Sequence, residues 1–274
     1  MKKYCLTLVI VILNGFAVLA QTTCTCTEET KLLKNFDNDS LIATKLITLS
    51  NKICNAKGYE KLGNWMNDLY APDSAIYFLE KSEQLYLKAS CNDSVLIKLY
   101  ESFAQSYYTK ADFAKAQEFS FKMLHHAELA GNVFAVAKCN TMIAQLFNQI
   151  GQAEKGIVYL RKAVAVLPTI SDYKQKKFLL FSFAKRYLWH YQDTKIKTSL
   201  DSSELFGQLY LAIARKKNDS AAISKAFSHL QGIAYEYGDF KKAITLLDSS
   251  FNYTNKDNYE DLRVNYFDKA DLYI

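Results

Sequence analysis

Few residues in this 274-residue chain are placed to carry out chemistry. It has four histidines. His125 and His126 are neighbours and so leave a helix in different directions, while His190 and His229 each lack a carboxylate or second histidine one turn away, where a metal ion or proton relay would need it. Gly151-Gln-Ala-Glu-Lys-Gly156 has the outer glycine spacing of a phosphate loop, but Ile157 stands where the lysine must be, so the segment reads as a turn. No Gly-x-Ser-x-Gly elbow and no dinucleotide glycine fingerprint occur, and the scattered Asp and Glu residues suit solvated helix faces. The expectation is a chain with no catalytic residues, no metal ligands and no cofactor.

Cysteine is the remaining reactive type. Of the six cysteines, Cys5 lies in the leader described below, which leaves Cys24, Cys26, Cys54, Cys91 and Cys139. An odd number at irregular spacing is not the framework of a disulfide-stapled small domain. Cys54 and Cys91 fall in equivalent segments between successive repeats, so a bridge between them is one reading, and free thiols are the favoured one. Cys139 shares a helix face with Ile143 and Leu146 and reads as a packing residue.

The amino terminus, MKKYCLTLVIVILNGFAVLAQ, has two lysines, an apolar run from about Leu6 to Leu13 and small residues up to Ala20. That is the pattern of a secretory leader at 1–20, cut after Ala20. An uncleaved anchor is the alternative, but Asn14-Gly15 interrupts the run and it is short for a bilayer. Thr22-Thr23 before Cys24 do not suit lipid attachment. Losing Lys2 and Lys3 takes the net charge from +6 to +4. The mature product is expected outside the cytoplasm, in the periplasm, with no membrane span after cleavage.

Half of the residues are apolar, and only Pro72, Pro168 and nine glycines interrupt them, so long helices are expected rather than strands. Residues 21–38 read as a lead-in, followed by a helix from Asp39 to about Ala56. Asn38-Asp39-Ser40, Asn92-Asp93-Ser94 and Asn218-Asp219-Ser220 read as helix caps, as do Pro72-Asp73-Ser74 and Leu200-Asp201-Ser202. The stretch Leu62–Leu79 reads as helix, tight turn, helix, and the rest of the chain repeats it. Small residues suited to a helix crossing recur at Gly63, Ala104, Ala144, Ala184 and Ala270, with Gln231 in the remaining register, at steps of 41, 40, 40, 47 and 39 residues. Turns are expected seven positions on, at Tyr70, Ala111, Gly151, Tyr191 and Gly238, and small second-helix residues twelve on, at Ala75, Ala116, Gly156 and Ala243. The 47-residue step requires about seven extra residues, placed within Gln192 to Thr198. The hairpins fall near 56–91, 94–130, 133–168, 171–217 and 220–254, with an incomplete one at 258–274. One hairpin cannot bury its own apolar face, so the copies must stack.

Leu62-Gly63, Ala104 with Tyr107 and Ala116, Ala144, Phe147, Gly151 and Pro168, and Gly238-Asp239-Phe240 with Ala243 together resemble the tetratricopeptide repeat family over about residues 40 to 274. The first-helix tryptophan is mostly absent and Gln231 replaces a small residue. The resemblance implies an all-α fold, a right-handed α-solenoid of stacked antiparallel hairpins occupying 39–274. An exported array with Pro72-Asp-Ser-Ala-Ile-Tyr77 at an early hairpin also looks like the sensing region of bacterial tetratricopeptide sensor histidine kinases. In that family a membrane helix and kinase domain follow, and no residue here carries kinase chemistry.

The resemblance further implies a concave groove lined by first helices. Its positions map onto Lys98, Glu101, Gln105 and Tyr108, then Lys138, Thr141, Gln145, Asn148 and Gln149. Later hairpins supply Phe178, Phe181, Lys185 and Trp189, then Lys225, Ser228 and Tyr235. Amides, ammonium groups and rings suit a protein or peptide ligand; a solvated inner face is the alternative. Lys176 to Tyr191 is apolar nearly all round, which reads as a central helix or as an aromatic ligand site. From Arg161 to Lys217 twelve Lys and Arg stand against four Asp and Glu, a face suited to an acidic partner or to solvent. Nucleic acid is not expected. Two readings result. One is an exported, non-enzymatic interaction module at the input end of a sensor kinase. The other is a free-standing scaffold that self-associates, as a homodimer through its uncapped last helix, or binds an acidic partner.

Overall fold

The computed structural model describes residues 24–33 and 39–254. The described residues form twelve α-helices and no strand. Helices α1 (Thr27–Leu33) and α2 (Asp39–Ile47) precede five antiparallel pairs. The pairs are α3 (Lys52–Asp68) with α4 (Pro72–Lys88), α5 (Asp93–Thr109) with α6 (Phe113–Leu129), α7 (Val133–Gln149) with α8 (Ala153–Ala165), α9 (Tyr173–Thr194) with α10 (Lys197–Lys216), and α11 (Ser220–Glu236) with α12 (Phe240–Tyr253). Each pair packs on the next in chain order, which makes an α-solenoid. Among the described residues no helix is long and apolar enough to cross a membrane. The proposed leader at 1–20 and the incomplete hairpin at 258–274, with the dimer contact assigned to it, lie outside the described residues.

The small residues sit where two helices touch. Ala75, Ala116, Ala184 and Ala243 are fully buried, and Ala104 and Ala144 nearly so. A Cβ on Gly63 would come within 2.6 Å of Leu79 Cγ, and one on Gly156 within 2.8 Å of the Ala144 carbonyl oxygen. The turns fall as the repeat spacing requires: Tyr70, Ala111, Gly151 and Gly238 all adopt positive φ. Tyr70 and Ala111 do so at a steric cost of roughly 1–2 kcal/mol each.

The fourth pair departs from this register. Its turn residue is Lys195 (φ 56°) rather than Tyr191, because α9 runs for 22 residues and α10 for 20, against 17 in α5 and α6. The extra residues of the 47-residue step are thus helix, not loop. They return the crossing to register at Ser203, whose buried hydroxyl donates to the Ala184 carbonyl at 2.8 Å. The same lengthening puts Leu200-Asp201-Ser202 inside α10, so Asp201 does not cap it and instead accepts a hydrogen bond from the Tyr237 hydroxyl.

Caps elsewhere follow local chemistry. Asp112, Asn132, Asp172, Asp219 and Asp239 each accept a first-turn backbone N–H. Asn92 makes no such side-chain bond; beside it Asp93 Oδ1 lies 2.7 Å from His126 Nδ1 on α6. The helix beginning at Asp39 ends at Ile47, not near Ala56. Asn51 starts a new helix there, accepting from the Ile53 and Cys54 amides, and the buried Asn55 Nδ2 donates to the helix-end carbonyls of Leu46, Ile47 and Leu49.

The cysteines correct both sequence readings. Cys24 pairs with Cys91 and Cys26 with Cys54, so Cys54 and Cys91 are neither joined to each other nor free. Cys24-Thr25-Cys26 lies against the first hairpin and the start of the second, beside the buried Cys54 and Cys91. Two bridges closing separations of 67 and 28 residues each stabilise by roughly 3–4 kcal/mol in the chain-entropy picture. Cys139 is free and fully buried, and burial pushes its thiol up to about 12.

Two measurements check this packing. Gly156→Ala should destabilise by about 1–2 kcal/mol in urea unfolding, because overpacking against a backbone carbonyl outweighs the helix propensity gained; an unchanged or raised midpoint would refute the close approach. Alkylation of native protein should leave Cys139 unmodified, and Cys54→Ser should release Cys26 but not Cys24.

Candidate functional site: the concave groove

The first helix of each pair turns one stripe toward its partner and presents the other to the inner face of the solenoid. Along α3, α5, α7 and α9 that face encloses a cavity of about 560 Å³. Residues from four hairpins meet in it: Asn64, Asn67 and Asp68 from α3, Lys98, Glu101, Gln105 and Tyr108 from α5, Lys138, Met142 and Gln145 from α7, and Phe178 and Arg186 from α9. A smaller cavity of about 420 Å³ continues from it, sharing Glu60 and Lys98, and its far wall is the disulfide-held segment Cys24-Thr25-Cys26.

Of the groove residues expected from the repeat register, Lys98, Glu101, Gln105, Tyr108, Lys138, Gln145 and Phe178 line this cavity. Lys185 and Trp189 adjoin it through Arg186, whose guanidinium lies 4.3 Å from the Trp189 ring, while the Lys185 ammonium lies 5.3 Å from the same ring. Seven expected residues lie elsewhere. Phe181 packs on Tyr210, the Ser228 hydroxyl lies 3.0 Å from that of Ser250, and Lys225 is outside the cavity lining. Thr141 is buried and donates to the Ala137 carbonyl of its own helix. Asn148 turns toward α8, its Oδ1 filling the space that a side chain at Gly156 would take. Gln149 is exposed at the end of α7, and Tyr235 packs edge-on against Phe240 of α12.

Asn64, Asn67 and Arg186 were not anticipated. The two asparagines hold the register of Gln105 and Tyr108 one hairpin earlier, so the same spacing extended back to α3 would have found them. Arg186 carries no such signal: it lies beside a register position, and its long side chain reaches round α9 toward α7.

Polar order along the groove comes from links between hairpins. Asn67 Nδ2 donates to the Ser102 carbonyl and its Oδ1 accepts from Ser106. Lys138 pairs with Glu101 and lies 5.3 Å from the Phe178 ring. Arg186 Nη2 donates to Gln145 Oε1, and burial lowers the guanidinium pKa to about 10. The Lys185 ammonium is pushed down by burial and by the charges of Arg186 and Lys225. At the other end, buried Glu60 accepts from Lys57 and from the Tyr86 hydroxyl.

Behind the groove wall, two histidines serve packing. His229 Nε2 lies 3.0 Å from the Ser203 hydroxyl, and His190 Nδ1 lies 2.8 Å from that of Ser199. Among the described residues the only three-group cluster with metal-ligating spacing is Cys26, Glu28 and Cys54, and its sulfurs are bonded to each other rather than available as thiolates. The groove can therefore offer hydrogen bonds, charge and ring faces, chemistry that binds a chain.

No family model matches the sequence, and no curated protein matches it significantly. Solved structures do. The quorum sensor NprR from B. thuringiensis matches in apo form at 14% identity and TM-score 0.65, over 87% of this chain and 67% of that one. A Rap protein complexed with Competence and Sporulation Factor matches at 14% and 0.62, over 81% of this chain and 60% of that one. A signal-transduction ATPase with a tetratricopeptide repeat sensor from Pyrococcus horikoshii matches at 16% and 0.63, over 89% of this chain and 36% of that one.

His229 yields a pH test. Burial, and then the nearby Lys185 charge, lower its pKa to about 4 from 6.5. The unfolded chain therefore binds the extra proton between those values, and stability falls as pH drops from about 6.5 towards 4. Burial lowers the His190 pKa as well, which acts in the same sense. Urea midpoints should decrease from pH 7 to pH 5, and His229→Gln should flatten the slope; an identical slope in the variant would refute the assignment.

In its hairpin order, small-residue crossings and inner groove, this chain has the fold of a tetratricopeptide repeat solenoid.

Proposed function

We propose that this chain is an exported, non-enzymatic interaction module that binds an extended peptide segment of a partner along the groove from α3 to α9. The observation that carries this is the cavity of about 560 Å³, into which four separate hairpins send amide, ammonium and aromatic groups. An extended chain leaves its backbone donors and acceptors open, and Gln105, Asn64, Lys98 and Tyr108 can meet them, while Phe178 and Met142 offer apolar contact. Support for a sensing role comes from NprR, described as a quorum sensor, and from Rap, solved with the Competence and Sporulation Factor. The leader-like amino terminus supports export to the periplasm, and the two disulfides suit that oxidising compartment. In this reading the chain is the input region of a signal-transduction histidine kinase.

Panning a random displayed decapeptide library against the protein should return binders. Their affinity should fall at least about tenfold in Gln105→Ala/Tyr108→Ala, a loss of roughly 1.4 kcal/mol. Binders unaffected by that variant would move the site away from the groove. Residues 1–38 fused to alkaline phosphatase should give activity outside the cytoplasm, and a silent fusion would remove the export reading.

A further inference from the structure

The side chain that stands out in the groove is Arg186. A guanidinium carries five N–H donors in a planar fork and keeps its charge at any physiological pH. Here Nη2 meets only the neutral amide oxygen of Gln145. Nε and Nη1 are buried without a hydrogen-bond partner, and the Trp189 ring centroid lies 4.3 Å from the guanidinium carbon. Among the described residues no carboxylate forms an ion pair with Arg186, and neither its neighbour Lys185 nor Lys225, whose charge acts on Lys185, forms one either. Taking a charge out of water is costly unless it is paired, and a buried arginine normally has that pairing. This one has its donors in place and lacks the anion.

Charge is also divided along the cavity. At the α3–α5 end Asp68 and Lys98 stand beside Glu60 and Glu101, which are already paired with Lys57 and Lys138, whereas Arg186 stands at the α9 end with no carboxylate beside it in the lining. An anionic group entering the groove therefore meets an uncompensated cation at the α9 end.

We infer that Arg186 is the anchor for a carboxylate carried by the ligand, with Gln145 as the acceptor that holds the guanidinium in place until the ligand arrives. This rests on the peptide-groove reading and adds to it a ligand chemistry and a direction. A carboxylate is planar and accepts at both oxygens, so it can engage two parallel N–H groups of the fork, which a neutral amide cannot do with comparable strength. Binding would need only a rotation of Gln145 or Trp189 to open the guanidinium edge. The carboxylate comes from an Asp or Glu side chain or from a chain terminus, and the experiment separates the two.

The protein has two tryptophans, so Trp65→Phe leaves Trp189, stacked on Arg186, as the reporter. Three probes are titrated at low ionic strength: acetyl-Ala-Ala-Glu-Ala-Ala-amide, the same peptide with Gln for Glu, and acetyl-penta-alanine with a free carboxyl end. The Glu peptide or the free-carboxyl peptide should shift Trp189 emission saturably, at least about tenfold more tightly than the Gln peptide. Whichever does so identifies the source. Arg186→Met should abolish the response and Arg186→Lys should weaken it. Arg186→Met should also melt at the same temperature as the parent or higher, since it removes a charge that the free protein does not pair; an arginine kept for structure would lower it. Equal responses to the Glu and Gln peptides, no response to any probe, or a lower melting temperature in Arg186→Met would overturn the anchor. If library-selected peptides bind but ignore their carboxylates, the anchor fails and the groove reading stands. If neither the carboxylate probes nor any library peptide binds, the groove reading fails and the anchor with it.

Discussion

The structure depends on how closely two helices of a pair can approach. Gly63 against Leu79, Ala144 against Gly156 and Ala184 against Ser203 put a backbone almost directly on a neighbour, with no room for one more carbon at the glycines. Large residues on either side of each contact then interlock: Leu79, Phe103, Met123, Leu160 and Phe183 are essentially fully buried. Close packing of this kind makes volume changes at the crossing costly. It also sets the angle at which each pair meets the next, and so the curvature that closes the inner face into a groove.

That curvature decides which polar groups are satisfied. Where a hairpin buries a polar side chain, it supplies the partner: Glu60 has Lys57 and Tyr86, Ser82 has the Ala56 carbonyl, and Ser203 has Ala184. These contacts stabilise the stack because both members lie on elements already fixed by packing. Asn92 Oδ1, Gln117 Nε2 and His190 Nε2 are exceptions, and so is Arg186, which alone of the four lies where four hairpins converge on the groove cavity. Polar groups left short of partners tend to occur where a protein keeps interaction energy for something else.

The amino-terminal segment contributes in a different way. Cys24 and Cys26 lie two residues apart, yet they bond to cysteines at the starts of two different hairpins. The segment becomes the far wall of the second cavity and ends the groove on that side. Its own helix α1 has only seven residues, too few to hold a position alone, so the two bridges do that work.

Much of the architecture was legible in the residues themselves. The repeat of small, large and turn residues placed the hairpins and four of the turn residues, because close helix crossing admits only Gly, Ala or Ser and tight turns require positive φ wherever the chain puts them. Half of the groove was legible too, since α5 and α7 keep a strict register. Tertiary structure decided what local pattern does not contain. Disulfide pairing depends on which sulfurs meet in space, and the placing of Cys24-Thr25-Cys26 against the hairpins has no periodicity to betray it. The extra residues after Tyr191 could be helix or loop until packing against α8 and α11 favoured longer helices. Arg186 sits beside a register position, and only the convergence of four hairpins shows its Nε and Nη1 buried and without an acceptor.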